Sequence, residues 1–139
     1  MSEEVRDLEQ EQQEMQELVG MPDDRLDMPS GDIVKKWHDK YPNTEIRGFP
    51  FPNLYVVYRA YNMLEQEELA KERTMIEMRE QREITELENT RLILNKCVLW
   101  PTNFIERFDK GDLPGGIPRV LTSYIMMISG FVDLIPEVL

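Results

Sequence analysis

A run of helix-forming, mostly charged residues extends from 63 to about 99 and closes on the apolar knot Cys97-Val98-Leu99-Trp100. Pro101 then removes a backbone donor and pushes Trp100 out of helical geometry. Any fold of this chain must place that run, which as one unbroken helix would reach about 55 Å. Asn62, with Glu65 three residues on, has the form of a capping box at its start. The centre, "KERTMIEMREQRE", carries only Met75, Ile76 and Met78 as apolar residues. Arg73 with Glu77, Arg79 with Glu83, and Arg82 with Glu86 are opposite charges four apart, a spacing that stabilises a helix only weakly. The centre is therefore either solvent-exposed helix or a break between two helices. Further on, Ile84, Leu87, Arg91, Leu94 and Val98 recur at near-heptad spacing, a stripe that wants a helical neighbour. The knot marks where this helix enters a core.

The best strand is 54–61, "LYVVYRAY", β-branched and aromatic. Leu54, Val56, Tyr58 and Ala60 share one face, and Tyr55, Val57, Arg59 and Tyr61 the other. Residues 44–47 are the nearby partner, and Pro50 and Pro52 disfavour both helix and a central strand between them. A two-stranded hairpin is marginal alone, so it is expected to lean on a helix. Upstream, Ser30 fits as N-cap of a short helix that carries Ile33, Val34 and Trp37 and ends before Pro42. Downstream, "TNFIERFDKGDLPGGIP" reads as a loop, or a short helix and a loop. Pro118 fits N1 of a last helix with a buried face of Ile117, Leu121, Tyr124, Ile125 and Ile128, broadened by Val120 and Met127. Gly130 fits C′, with Phe131 closing back on the last turn.

The fold expected is mainly α with a small β-hairpin (α+β), a long central charged helix and a compact C-terminal helical core. Trp100, Val98, Leu94, Leu121, Ile125, Ile128 and Phe131 are its expected core residues. Residues 1–20 are expected to form an acidic amphipathic helix with Val5, Leu8, Gln12, Met15 and Val19 on one stripe, and 21–31 a linker rich in Pro, Gly and Asp. A single small domain occupies 32–131, followed by a tail, 132–139, in which Val132, Leu134, Ile135, Val138 and Leu139 are apolar.

Charge narrows the partners. Lys and Arg total 16 against 27 Asp and Glu, a formal charge of -11. That balance repels phosphate backbones and anionic membrane surfaces, so neither nucleic acid nor membrane is expected as a partner. One cysteine excludes an internal disulfide, and a cytosolic compartment is the default. The start, "MSEEVRDLEQ", has no apolar stretch, so no signal peptide is expected. The longest uncharged run, 120–132, falls short of the roughly 20 residues that span a bilayer.

No residue pattern suggests catalysis. His38 stands among Lys36, Asp39 and Lys40 and reads as a surface histidine. Cys97 sits between apolar residues and reads as a small buried hydrophobe. Asp109 and Asp112 lack the alternating acids and terminal Glu of a Ca²⁺ loop. "GDLPGGIP" has no phosphate motif and reads as a turn. No catalytic, cofactor-binding or metal residue is assigned, and the chain is expected not to be an enzyme. The aromatic set Trp37, Phe49, Phe51, Tyr55, Tyr58, Trp100, Phe104 and Phe108 is either a compact core or, in part, an exposed binding face.

The order of landmarks in the second half carries a resemblance. A strand ends in Tyr58-Arg59, and a helix follows capped by Asn62 and Glu65. Then come Cys97-Val98-Leu99-Trp100-Pro101, the pair Phe108-Asp109, the turn Gly116-Ile117-Pro118, and a helix closing on Ser129-Gly130-Phe131. This order resembles the small tail or baseplate-hub assembly proteins of large contractile-tailed bacteriophages, assembly chaperones, over about residues 54–131. The resemblance implies a non-enzymatic protein that holds an assembling tail or hub protein and then releases it. Leu134, Ile135, Val138 and Leu139, with Val5, Leu8 and Met15 of the N-terminal stripe, are the expected partner-binding residues. A homo-oligomer through the helical stripes is a further expectation. Such a chaperone would occupy the host cytoplasm during infection. The alternative is a permanent structural component of the tail or baseplate, found in the virion. A third reading, an acidic host-directed binding module, rests on charge alone.

Overall fold

The computed structural model describes residues 27–131. The expected stripe of Val5, Leu8 and Met15 and the tail residues Leu134, Ile135, Val138 and Leu139 lie outside the described residues.

Helix α1, Gly31–Lys40, starts where expected: the Ile33 N–H donates to Ser30 Oγ at 3.3 Å. Strands β1, Ile46–Phe51, and β2, Leu54–Arg59, form an antiparallel hairpin with Phe51 opposite Leu54 and Ile46 opposite Arg59. Asn53 takes φ +61 in the tight turn between them. β1 reaches further than 44–47 and includes Pro50. It can do so because it is an edge strand, where a missing N–H costs no ladder bond.

The hairpin is not alone. Val98–Trp100 forms β3 on the other side of β2, with Val57 opposite Trp100 and Tyr58 opposite Val98 across a bulge. β2 is thus the central strand of a three-stranded antiparallel sheet. This corrects the reading of the apolar knot: its last three residues leave the helix and serve the sheet. Val98 and Trp100 suit a strand, and β2 would otherwise keep one row of backbone groups unpaired.

The charged run is two helices, α2, Met63–Glu80, and α3, Glu86–Cys97. The box at Asn62 forms in full: the Glu65 N–H donates to Asn62 Oδ1 at 2.9 Å, and the Asn62 N–H donates to Glu65 Oε1 at 3.2 Å. Gln81 ends α2 in the left-handed region at φ +54. A second full capping box, Thr85 with Glu88, starts α3. The expected i,i+4 ion pairs give way: Arg79–Glu83 and Arg82–Glu86 straddle the helix end, while Arg73 and Glu77, both within α2, take other partners. Arg82, in the break, reaches forward to Glu88 at 2.6 Å. Arg79 pairs with Glu80, and Arg73 donates to Asn89. Glu77 accepts the Ile84 N–H at 3.0 Å.

The break also corrects the expected stripe. With α3 starting at Glu86, its inner face is Thr90, Ile93, Leu94 and Cys97, while Leu87 is 65% exposed and Arg91 pairs with Asp109 at 2.7 Å. A short α4, Phe104–Asp109, and α5, Ile117–Ile128, complete the elements of the described residues. Pro118 sits in the first turn of α5. Its end is the Schellman arrangement: the Phe131 N–H donates to Met126 O at 2.8 Å, the Gly130 N–H to Met127 O at 3.1 Å, and Gly130 takes φ +87.

One core joins these parts. Leu54, Val56 and Tyr58 of β2 meet Leu69, Ile93, Leu94, Cys97, Phe104, Ile117, Leu121 and Ile125. Tyr124 of α5 lies over Phe49 and Tyr58, with centroids 5.3 and 6.3 Å away. Of the expected core residues, Leu94, Leu121 and Ile125 are fully buried, and Val98 and Ile128 are half-buried against the core. Trp100 and Phe131 are corrected. Trp100 is half-buried on the second sheet face, where Trp37 of α1 meets it edge-on at 6.3 Å. Phe131 is 39% exposed, because it follows the helix end and is covered on one face by Tyr61. Val120 and Met127 face solvent rather than broaden the buried face.

Candidate interaction surface

The most charged environment inside the fold is structural. Arg59, at the end of β2, is buried. Its Nη1 donates to Glu65 Oε1 at 2.9 Å and to Ala60 O at 3.0 Å. Its Nη2 donates to Glu65 Oε2 at 2.7 Å and to Lys96 O at 2.9 Å. The Tyr41 ring lies 4.2 Å from the guanidinium carbon. The pair ties β2, α2 and the end of α3 together. Sequence reading assigned Arg59 only to a strand face. The signal was an arginine inside "LYVVYRAY", close ahead of a capping glutamate.

Cys97 is fully buried, and burial pushes its thiol up to about 12, so it is the inert hydrophobe expected. His38 is exposed. Asp109 is the partner of Arg91, and Asp112 is exposed near the following turn. Among the described residues, no group of three or more His, Cys, Asp or Glu side chains could hold a metal ion. No described helix is long and apolar enough to cross a membrane.

The aromatic set divides. Phe51, Tyr58 and Phe104 are buried, and Phe49 and Phe108 pack on the core. Trp37 and Trp100 form a half-exposed pair, where the Trp100 Nε1 donates to Asp27 O at 2.7 Å. Beside it, Asn53, Tyr55, Asn103 and Arg107 help line a depression of about 160 Å³.

The feature that stands out is α2. It is 18 residues long yet buries only Leu69. Its inner side, at Glu65, Gln66, Leu69, Glu72, Arg73, Ile76 and Glu77, is largely polar, and it is held to α3 by ion pairs as much as by packing. Lys96 of α3 reaches Glu68 at 2.8 Å and Glu72 at 3.8 Å. The opposite side carries Leu64, Lys71, Met75 and Met78, spaced by sevens, fours and threes and so on one line. Leu64 is 66% exposed, Met75 68% and Met78 74%. Beside them, Ala70, Lys71, Thr74 and Met75 line a shallow, mainly apolar depression of about 410 Å³. Met63 is open at the first turn. An apolar line on the outer side of a charged helix is suited to binding another chain: it offers apolar area, and methionine adapts to the shape laid against it. Met75 and Met78 were visible in the sequence. The sequence left their segment as either solvent-exposed helix or a break, and did not single out the apolar line that the exposed helix carries.

A second groove, of about 460 Å³, lies between the starts of α3 and α5, lined by Glu86, Leu87, Thr90, Gly116, Pro118 and Arg119. An exposed Arg119–Glu86 ion pair at 3.0 Å crosses it. Compared with protein-family models, with curated proteins and with solved structures, the chain matches none of them.

Proposed function

We propose that this chain is a non-enzymatic assembly chaperone for a tail or baseplate-hub protein of a contractile-tailed bacteriophage. The observation that carries the reading is the outer line of α2, Leu64, Met75 and Met78, held open on a strongly acidic chain. Such a face can hold an aggregation-prone client reversibly while the surrounding charge keeps the complex dispersed. The tail residues Leu134, Ile135, Val138 and Leu139 and the N-terminal Val5, Leu8 and Met15 would add contacts to the same client.

The landmark resemblance supports the same reading. Its residues are the joints of one fold: Arg59 and Glu65 in the buried pair, Asn62 at the α2 cap, Val98 to Trp100 in β3, Asp109 holding Arg91, and Gly130 and Phe131 in the terminal cap. The test is to tag the protein, follow it through infection, and identify its companions in lysate and in purified particles by mass spectrometry. A chaperone is found in lysate with a tail or hub protein and is missing from particles. Stoichiometric presence in particles would make it a structural component instead.

A further inference from the structure

The large apolar residues that α2 exposes are gathered at its two ends. Met63 and Leu64 are open in the first turn, and Met75 and Met78 near the last. Between them the outer side carries two exposed charges of opposite sign, Glu68 and Lys71. Leu64, Glu68, Lys71 and Met75 follow one another by four, three and four residues, which sets them on one face of the helix. Along that face the chemistry reads apolar, acid, base, apolar. Reversed, the spacing is unchanged, and each charge falls on its opposite.

A second copy therefore fits this face in one arrangement. Two α2 helices laid antiparallel, about a two-fold axis level with the point between Leu69 and Ala70, bring Leu64 of each copy to Met75 of the other. In the middle, Glu68 of each copy meets Lys71 of the other. Lys96 of the same chain takes Glu68 Oε2 at 2.8 Å, so Oε1 is the oxygen that faces the second copy. Met63 of one copy falls about 3 Å along the axis from the level of Met78 of the other. All four exposed apolar residues are thus covered. Leu64 of the second copy lies beside the depression lined by Ala70, Lys71, Thr74 and Met75, where the small Ala70 and Thr74 leave room for it.

The alternatives set like charges together. A parallel pair places Glu68 on Glu68 and Lys71 on Lys71. An antiparallel pair shifted to bring Leu64 onto Met78 is centred on Lys71 and opposes the two lysines. Like charges across a contact cost affinity, and so fix its register. The contact runs over about 23 Å of one helix from each copy. That is small for a specific interface, so the two copies exchange rather than stay joined.

We propose that two copies of this chain pair reversibly through the outer face of α2, antiparallel, with Leu64 against Met75 and Glu68 against Lys71. The pairing does not rest on the chaperone reading. A client that uses the same line competes with the second copy.

The test uses the purified full chain without any client. Cys97 is fully buried, so a cysteine placed on α2 is the reactive thiol. One variant carries Leu64→Cys and another Met75→Cys. Each alone, and the two mixed, are exposed to a mild oxidant, and disulfide-linked dimers are timed on non-reducing gels and mapped by mass spectrometry. The mixture is expected to form the 64–75 link several-fold faster than either variant forms a link to itself. In the proposed register identical positions lie about 17 Å apart along the axis. Adding Lys71→Glu to both chains should remove the preference, and Lys71→Arg should keep it. If Lys71→Glu alters melting, the mixed and single rates decide alone. Equal rates in the three samples, or a faster 64–64 or 75–75 link, would overturn the proposal. So would a preference that survives Lys71→Glu in a normally melting chain. Finding no client during infection leaves these rates untouched, so the two readings fail separately.

Discussion

The carboxylate of Glu65 receives the Arg59 guanidinium through two bonds, of 2.9 and 2.7 Å, and also accepts the Asn62 N–H that opens α2. One side chain thus fixes the central strand to the helix that carries the candidate surface. Burial by itself would raise the Glu65 pKa. The hydrogen bonds from Arg59 and Asn62 outweigh it and hold the group below its ordinary value.

Removing one partner of this pair leaves the other charged in a dry site. Glu65→Ala is expected to cost on the order of 3 kcal/mol, read from urea denaturation. Arg59→Met with Glu65→Gln should cost less than the sum of the two single changes, because neither change then strands a charge. Additive costs would show that the two side chains do not act as a pair.

Acid should weaken the fold in a defined window. Glu65, Glu88 and Asp109 are all depressed on folding, with Glu88 held down to about 2, first by the Arg82 hydrogen bond and then by the Thr85 N–H. A depressed carboxylate contributes stability above its unfolded value that is lost as pH falls through the folded one. The denaturation midpoint should therefore hold steady above the ordinary glutamate value of 4.5 and fall between there and about 2. Glu88→Gln should flatten the lower part of that fall. An unchanged profile in this variant would show that the Arg82–Glu88 bridge is not formed.

The break between α2 and α3 makes an opposite-sign prediction. Gln81 is left-handed, a conformation that costs a non-glycine residue about 1 kcal/mol. Gln81→Gly is expected to stabilise by about 0.5–1 kcal/mol. In an unbroken helix the same change would destabilise by about 1 kcal/mol, so the sign of the shift in melting decides between the two.

What could be read from the sequence was what is local. Ser30, the Asn62–Glu65 box and the Gly130 closure act within a few residues, and all three formed as expected. The Thr85–Glu88 box was equally local and went unread; the reading left open whether the charged run breaks, and it was the near-heptad stripe that placed Leu87 inward. β3 could not be read in this way. Three residues carry no periodicity, and their partners Val57 and Tyr58 lie about forty residues upstream. The inner face of α2 was hidden for a related reason: its contacts are ion pairs with Lys96 and hydrogen bonds with Asn89, which no hydrophobic pattern reports.

Trp100 illustrates the consequence for mutagenesis. Full burial would imply a loss of about 3–5 kcal/mol on truncation, but the side chain is half-buried and meets Trp37 edge-on at 6.3 Å. Trp100→Ala is expected to cost roughly 2 kcal/mol, with about 0.5–1.5 kcal/mol of coupling to Trp37→Ala in a double-mutant cycle. A coupling of zero would show that α1 does not sit on the sheet through this pair.

The most direct test of the chaperone reading compares the full chain with a Met75→Glu, Met78→Glu variant in the same infection. Both positions are open, so the variant should melt within about 0.5 kcal/mol of the unchanged chain. The account predicts that the unchanged chain is recovered from lysate with a tail or hub protein, that the variant is not, and that neither is found in finished particles. Equal recovery of that partner by both chains, or stoichiometric incorporation into particles, would contradict it.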